Sequence, residues 1–375
     1  MSREEVTISD LGRIVTGKTP STKNSSFFDG EFQFVTPSDL DWRTYYCRTT
    51  ERTVTDDARK SHLNQFIPGN AVMVTCIGNT IGKCGLSSSD CLTNQQINSI
   101  IPNIGIDPRF VYYLLVHNTD VIRGVGLGGG SATPILNKSS FSKIKLRVPP
   151  TYQWSGISNI LSAYDDLIEN NRRRIQLLEQ AAQLLYKEWF VHLRFPGHEH
   201  TKIIDGVPEG WEKKPLGDIA PLRYGKALKN EDRIPGPFPV YGSSGIVGYH
   251  SKPLVPGPTI IVGRKGNVGS IYFSPEDCHP IDTVYYIESS LCSFSLYYSL
   301  QQMDFISTDV AVPGLNRDFA HSRSMLIADH KIRRLFENTV SPLRQQMELL
   351  KRQISALAKA RDLLLPKLMN GEVVV

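Results

Sequence analysis

IENNRRRIQLLEQAAQLLYKEWF, residues 168–190, returns as MELLKRQISALAKARDLLLPKLM at residues 347–369, offset by 179 positions. Aligned without a gap, the two copies share Glu169/Glu348, Arg173/Arg352, Ile175/Ile354, Leu178/Leu357, Ala181/Ala360, Leu184/Leu363 and Leu185/Leu364. Seven identities in 23 positions exceed the roughly one or two that average composition allows. Apolar steps alternate three and four through Ile168, Asn171, Ile175, Leu178, Ala182, Leu185 and Trp189, with Asn171 the polar exception. The second copy repeats the seam at Met347, Leu350, Ile354, Leu357, Arg361, Leu364 and Leu368. That heptad period belongs to a helix lying along another helix. Each helix covering only its own domain is the plainer reading; matched seams in two copies favour the helices packing on each other. Pro342 is expected to kink or start the second helix.

Outward from the first copy, the chain changes character at Pro149-Pro150. Before that point, FQFVT (32–36), AVMVT (71–75) and INSII (97–101) have strand composition, and RFVYYLLVHN (109–118) reads as a short helix. Turn signals such as Pro68-Gly69 and Gly78-Asn79 punctuate them. The globular segments also repeat. Leu11-Gly12 and Gly17-Lys18 match Leu216-Gly217 and Gly225-Lys226, and IPGNAVMV (67–74) with Gly78-Asn79 matches VPGPTIIV (255–262) with Gly266-Asn267. Tyr112-Tyr113 matches Tyr297-Tyr298, and Pro134, Leu136-Asn137 match Pro313, Leu315-Asn316. A solenoid repeats every 20–50 residues, so this is a duplicated two-part module instead. The expected class is α+β: two similar mixed domains, 1–150 and 192–326, separated by long helical segments, 151–191 and 327–375, that form an antiparallel coiled coil.

Net charge is +5. It spreads as +3 over residues 1–150, −1 over 191–325 and +4 over 326–375, so no segment is a basic tail. Contact with nucleic acid would need placed residues on a folded surface. No apolar run approaches a membrane span and no signal peptide is visible, which points to the cytoplasm. Cys47, Cys76, Cys84, Cys91, Cys278 and Cys292 match no zinc spacing and read as free thiols.

GRIVTGKT, Gly12 to Thr19, fits the phosphate-loop pattern. Such a loop needs a helix opening at the Lys, whereas Pro20 and a Ser/Thr/Asn run follow here. The glycines Gly126, Gly128, Gly129 and Gly130 form either a phosphate cradle or a plain loop. Asn94-Gln95-Gln96 is either a polar strand edge or a set of amides of the kind that read adenine edges. His198-Glu199-His200 lies in a linker with no third ligand nearby, which favours a solvated loop.

Domain, helix, domain, helix resembles the specificity subunit of type I restriction–modification systems. The resemblance is carried by LGRIVTGKTPS (11–21), IPGNAVMV (67–74), LLYKEWFVHLRFP (184–196), VPEGWEKKPLGDI (207–219) and RDLLLPKLMNGEV (361–373), which together span the chain. It implies two target-recognition domains reading the halves of a split, asymmetric double-stranded DNA site, with the helices as spacer. Modification subunits that bring S-adenosylmethionine and methylate adenine would dock mainly on the helices. Restriction subunits would supply ATP- and magnesium-dependent translocation and cleavage, leaving this subunit without cofactor or chemistry of its own. Ile157 to Trp189 span about 50 Å at ~1.5 Å per residue, against half-sites ~34–36 Å apart for one DNA turn.

Loop position and residue type nominate DNA contacts at Lys18, Thr19, Lys23, Arg43, Tyr45, Asn79, Lys83, Asn94, Gln95 and Ser131. In the second domain they nominate Lys226, Lys229, Ser243, Ser244, Arg264, Lys265, Asn267 and Asn316. Helix pairing and subunit docking are expected at Ile168, Ile175, Leu178, Leu185, Trp189, Met347, Leu350, Ile354, Leu357, Leu364 and Leu368. Two other classes stay open: a nucleoside triphosphatase using residues 12–19, and a coiled-coil adaptor that never touches DNA.

Overall fold

A computed structural model describes residues 4–128, 134–305 and 314–375. The chain divides into two compact units, residues 1–172 with 352–375, and residues 173–351. The division falls inside both long helices, Trp154–Tyr186 and His330–Met369. No helix is long and apolar enough to cross a membrane among the described residues.

The two units repeat one topology. In the first, Gly12–Thr16, Ile97–Pro102, Val72–Thr75, Cys84–Ser87 and Tyr46–Cys47 form a five-stranded sheet in that order. In the second, Arg223–Tyr224, Val284–Ile287, Thr259–Gly263 and Ile271–Ser274 form the corresponding four strands. A second sheet in each unit contains a parallel pair: Gln33 faces Cys91 in one, and Val240 faces His279 in the other. A terminal ribbon closes each unit, Glu4–Thr7 on Lys145–Val148 and Glu212–Pro215 on Ser324–Ile327. The β-branched residues Val72, Val74, Ile260, Ile261 and Val262 sit fully buried in the central strands, where branched side chains pack well on a pleated surface. The helix expected at 109–118 is present as Pro108–His117, begun by Asp107, whose carboxylate accepts the Arg109 amide at 2.9 Å.

Each core draws on both long helices. Ile157, Leu161, Leu365, Leu368 and Met369 complete the first core around Phe110–Leu115. Tyr186, Trp189, Phe190, Phe336 and Val340 complete the second around Leu296–Leu300. The pairing is antiparallel inside each unit. Asp165 meets Arg361 and Asn171 meets Gln353 in the first, while Glu179 meets Arg344 and Tyr186 meets Phe336 in the second. On the seams Ile168, Trp189, Met347, Leu350 and Leu368 are buried, and Ile175, Leu178, Leu185, Ile354, Leu357 and Leu364 half-buried.

Pro342 does not start the second helix. The helix begins at His330, where Asp329 accepts the amides of Lys331 and Ile332 at 2.7 and 3.2 Å, and it continues past the proline. A proline inside a helix costs about 3 kcal/mol. Burial of Phe336, Val340 and Met347 on either side offsets that, at roughly 1.5–3 kcal/mol for each fully buried side chain. The first helix ends in a wide turn, Lys187–Val191, where the His192 amide donates to the Lys187 carbonyl at 2.8 Å and consecutive Trp189 and Phe190 both reach the core.

Candidate nucleic-acid interface

The Gly-Lys pair of each unit marks a place where two backbones cross. Gly17 N–H donates to the Ile97 carbonyl (3.1 Å) and Lys18 N–H to the Thr93 carbonyl (2.8 Å). A Cβ on Gly17 would stand 2.2 Å from the Asn94 carbonyl oxygen, so only glycine fits. The second unit repeats the crossing: Gly225 N–H to Val284, Lys226 N–H to Pro280, and a Cβ 2.1 Å from the Ile281 carbonyl oxygen. The segment Gly12–Thr16 is a strand, no helix opens at Lys18, and the Gly17 and Lys18 amides are already hydrogen-bonded. A phosphate loop needs free amides at a helix N-terminus, so residues 12–19 do not form one.

The crossing leaves Lys18 exposed and brings Thr19 to the next loop, where its hydroxyl donates to Gln95 Oε1 at 2.6 Å. Asn94 Oδ1 accepts the Gln96 amide at 3.0 Å, so these three nominated residues share one edge. Lys23, Lys226 and Lys229 are exposed, with Lys229 3.5 Å from Glu231.

A second loop group surrounds the Gly-Asn turns. Gly78 (φ 56°) and Gly266 (φ 78°) take the left-handed conformation that favours glycine, leaving Asn79 and Asn267 exposed. Beside Asn267, Ser243 and Ser244 occupy the hairpin tip, and the Ser243 carbonyl accepts from Ser270 Oγ at 2.7 Å and from Tyr272 OH at 3.2 Å. Lys265 is exposed and bridges Gly314. The Arg264 guanidinium lies 4.9 Å over Tyr224 and 5.7 Å over Tyr285, and Arg317 lies 5.1 Å over the same Tyr224 ring. In the first unit Arg123 lies 4.7 Å over Trp42 and donates to the Asn79 carbonyl at 3.3 Å.

Several nominated side chains are committed elsewhere. Tyr45 is 3% exposed, packed among Tyr46, Tyr112 and Tyr113, and belongs to the core. Asn316 caps the helix Arg317–Ser322, its Oδ1 accepting the amides of Asp318 (2.8 Å) and Phe319 (3.1 Å). Lys83 Nζ donates to the Leu40 carbonyl at 2.9 Å, and Arg43 pairs with Asp362 of the second long helix. Ser131, with Gly129 and Gly130, lies outside the described residues. Gly126 is helical and buried, where a Cβ would meet Ile81 Cδ1 at 2.8 Å, which makes it a packing residue. The ring-stacked residues Trp42, Arg123, Tyr224 and Arg317 escaped sequence reasoning. Trp42 and Arg317 adjoin the nominated Arg43 and Asn316, and Tyr224 lies two positions before Lys226, but their pairing across loops has no local signal.

Burial is the largest influence on three cysteine thiols and on Asp165. It pushes the Cys76, Cys84 and Cys278 thiols up to about 12, far from a reactive thiolate. It also raises Asp165 above the usual carboxylate range, against the opposing pull of Arg361 and the Tyr113 hydroxyl.

The outward faces of the long helices repeat as well. Leu184 and Leu363, equivalent by the 179-residue offset, are 62% and 68% exposed. Arg173 and Arg352, also equivalent, are both exposed.

Compared with known proteins, the chain matches the family described as Type I restriction modification DNA specificity domain over residues 3–180 and 208–318. It is 26% identical over 400 residues to the type I restriction enzyme MjaIX specificity subunit of Methanocaldococcus jannaschii, covering 98% of this chain and 92% of the relative. It is 33% identical over 172 residues to the HindI specificity subunit of Haemophilus influenzae, covering 44% of this chain and 37% of the relative. Among solved structures, the type I restriction–modification S subunit from M. genitalium aligns with a TM-score of 0.61 at 18% identity, covering 98% of this chain and 96% of that one. The fold is shared.

Proposed function

The chain belongs to the type I restriction modification DNA specificity family and is a DNA-recognition subunit of such a system; from that premise we propose that its two mixed units each read one half of a split, asymmetric DNA site. The observation that carries this is a topology kept twice with unlike edges. The Gly-Lys crossing, the Gly-Asn turn and the Asn-capped helix recur, while the exposed residues between them differ. Thr19 and Gln95 on one side have Ala227 and Asp282 in the corresponding loops on the other. Identical edges would suit a palindrome; unlike edges suit two unlike half-sites. Exposed Lys18, Lys23, Lys226 and Lys265 contact phosphates and set register, and loop side chains contact base edges.

The paired helices serve as the spacer and carry the partner subunits. A single exposed leucine says little. The same leucine exposed at equivalent points of a duplicated helix suits two copies of one partner, and the modification subunit is that partner. Recognition is this chain's whole contribution. S-adenosylmethionine, ATP and magnesium belong to the modification and restriction subunits.

Footprinting of the complex reconstituted with modification subunits should show two protected blocks flanking an unread spacer. One continuous block overturns the two-reader reading. Binding should also weaken linearly in log affinity against log salt, as released counterions require. A flat salt series would instead support a protein-only adaptor.

A further inference from the structure

Each unit places a guanidinium over an exposed aromatic ring beside its Gly-Asn turn. In the second unit Arg264 leaves the turn itself and Arg317 starts the helix Arg317–Ser322, and both lie over Tyr224, which is 49% exposed. In the first unit Arg123 comes from the helix Thr119–Leu127 and lies over Trp42, which is 42% exposed. Equivalent locations are thus equipped with the same chemical group from unlike elements. Convergence of that kind marks a place where the group itself is needed.

Among the described residues none of these three arginines forms an ion pair, whereas Arg109, Arg194, Arg344 and Arg361 all do. Arg264 uses one N–H on the Asp282 carbonyl (3.1 Å) and Arg123 one on the Asn79 carbonyl (3.3 Å). A guanidinium carries five N–H donors, so most remain available. Stacking on a ring restrains the planar fork before any ligand arrives, and less freedom is then lost when it hydrogen-bonds. Guanine presents two major-groove acceptors, O6 and N7, spaced to match that fork. Exposed Asp318 follows Arg317 in sequence and exposed Asp282 is held to Arg264 through its backbone carbonyl, and these two acidic residues weaken the site's pull on phosphate and favour the base edge.

We propose that Arg264, with Arg317 beside it on Tyr224, reads guanine in one half-site, and that Arg123 on Trp42 does so in the other. This rests on the two-reader function proposed above. Arg264 and Arg123 are the specificity-determining residues, and Tyr224 and Trp42 position them.

The test is sequencing of methylated adenines in a host carrying the complete system, together with salt-dependent binding of the purified complex. The unaltered complex must first yield a bipartite motif; without one the two-reader reading fails, whatever the variants do. Given that motif, Arg264→Lys keeps the charge and loses the fork. It should relax one guanine position in one half-site by about 5- to 150-fold while leaving the salt slope intact. Arg123→Lys should relax a position in the opposite half-site. Tyr224→Ala should resemble Arg264→Lys, and Tyr224→Phe, which keeps the ring, should restore discrimination. A motif unchanged in Arg264→Lys, combined with a salt slope reduced by about one in Arg264→Ala, identifies a phosphate contact and overturns the proposal. Unchanged motif and unchanged affinity in all variants overturn it as well.

Discussion

Arg361→Ala should damage the first unit more than any single change on its surface. Arg361 pairs with Asp165, whose side chain is 2% exposed, and donates from Nε and Nη2 to Asp362 at 3.1 and 2.9 Å. Without it Asp165 keeps, among the described residues, only the Tyr113 hydroxyl, 2.6 Å from Oδ2. Removing one partner of a buried ion pair costs about 3–5 kcal/mol, because the stranded charge stays desolvated. For a domain of this size that is a melting-temperature drop of roughly 6–20 °C. The deficit should depend on pH with a definite sign. Burial already holds Asp165 above its ordinary value of 3.8, and losing Arg361 removes the strongest opposing pull. A carboxyl whose folded pKa is raised favours the fold most when protonated. Its contribution is complete below the ordinary value and lost as pH rises through the folded one. The variant should therefore be closest to the parent at acid pH, toward the ordinary carboxyl value of 3.8, and furthest from it once the pH has risen past the raised value. Scanning calorimetry across that range measures this, and Asp165→Leu with Arg361→Met should recover most of the loss. A deficit under about 1 kcal/mol, or one that does not change with pH, would refute the reasoning.

Gly17→Ala and Gly225→Ala should each lower stability by about 1–3 kcal/mol in chemical denaturation, since the added methyl meets a carbonyl oxygen that cannot retreat. Lys18→Ala should leave the fold intact, and titration calorimetry should find no ATP binding before or after the change; ATP affinity lost in the variant would revive the phosphate-loop reading. Leu178→Pro should remove a helix hydrogen bond at about 3 kcal/mol and abolish partner assembly on gel filtration. Normal assembly of that variant would count against the paired-helix platform. Leu184→Arg should release one modification subunit and Leu184→Arg with Leu363→Arg both, read by native mass spectrometry with melting temperature unchanged. Full stoichiometry in the double variant would move the docking surface elsewhere.

What was legible in the chain depended on the range of the interaction. Strands at 32–36, 71–75 and 97–101 and the helix at 109–118 show in composition, and their observed counterparts fall within a few residues. Loop side chains were different. Tyr45 lies among turn residues yet turns inward, because Tyr112 and Tyr113, distant in sequence, supply its packing. Arg43 answers to Asp362 across most of the chain, and Asn316 to amides two and three residues on. Pro342 obeys neighbours buried on both sides in preference to its own propensity.

The sequence by itself determined the duplicated plan, because periodicity and repeated turn residues are properties of neighbouring positions. It also determined the paired helices, since the seam is written in the heptad. Only the tertiary structure decided which residues face outward at the loop edges. It stacked Arg264 and Arg317 on Tyr224, placed Arg123 on Trp42, and withdrew Tyr45 from the surface. Those outcomes follow from contacts between segments far apart in the chain, and such contacts exist only once the backbone has closed around them.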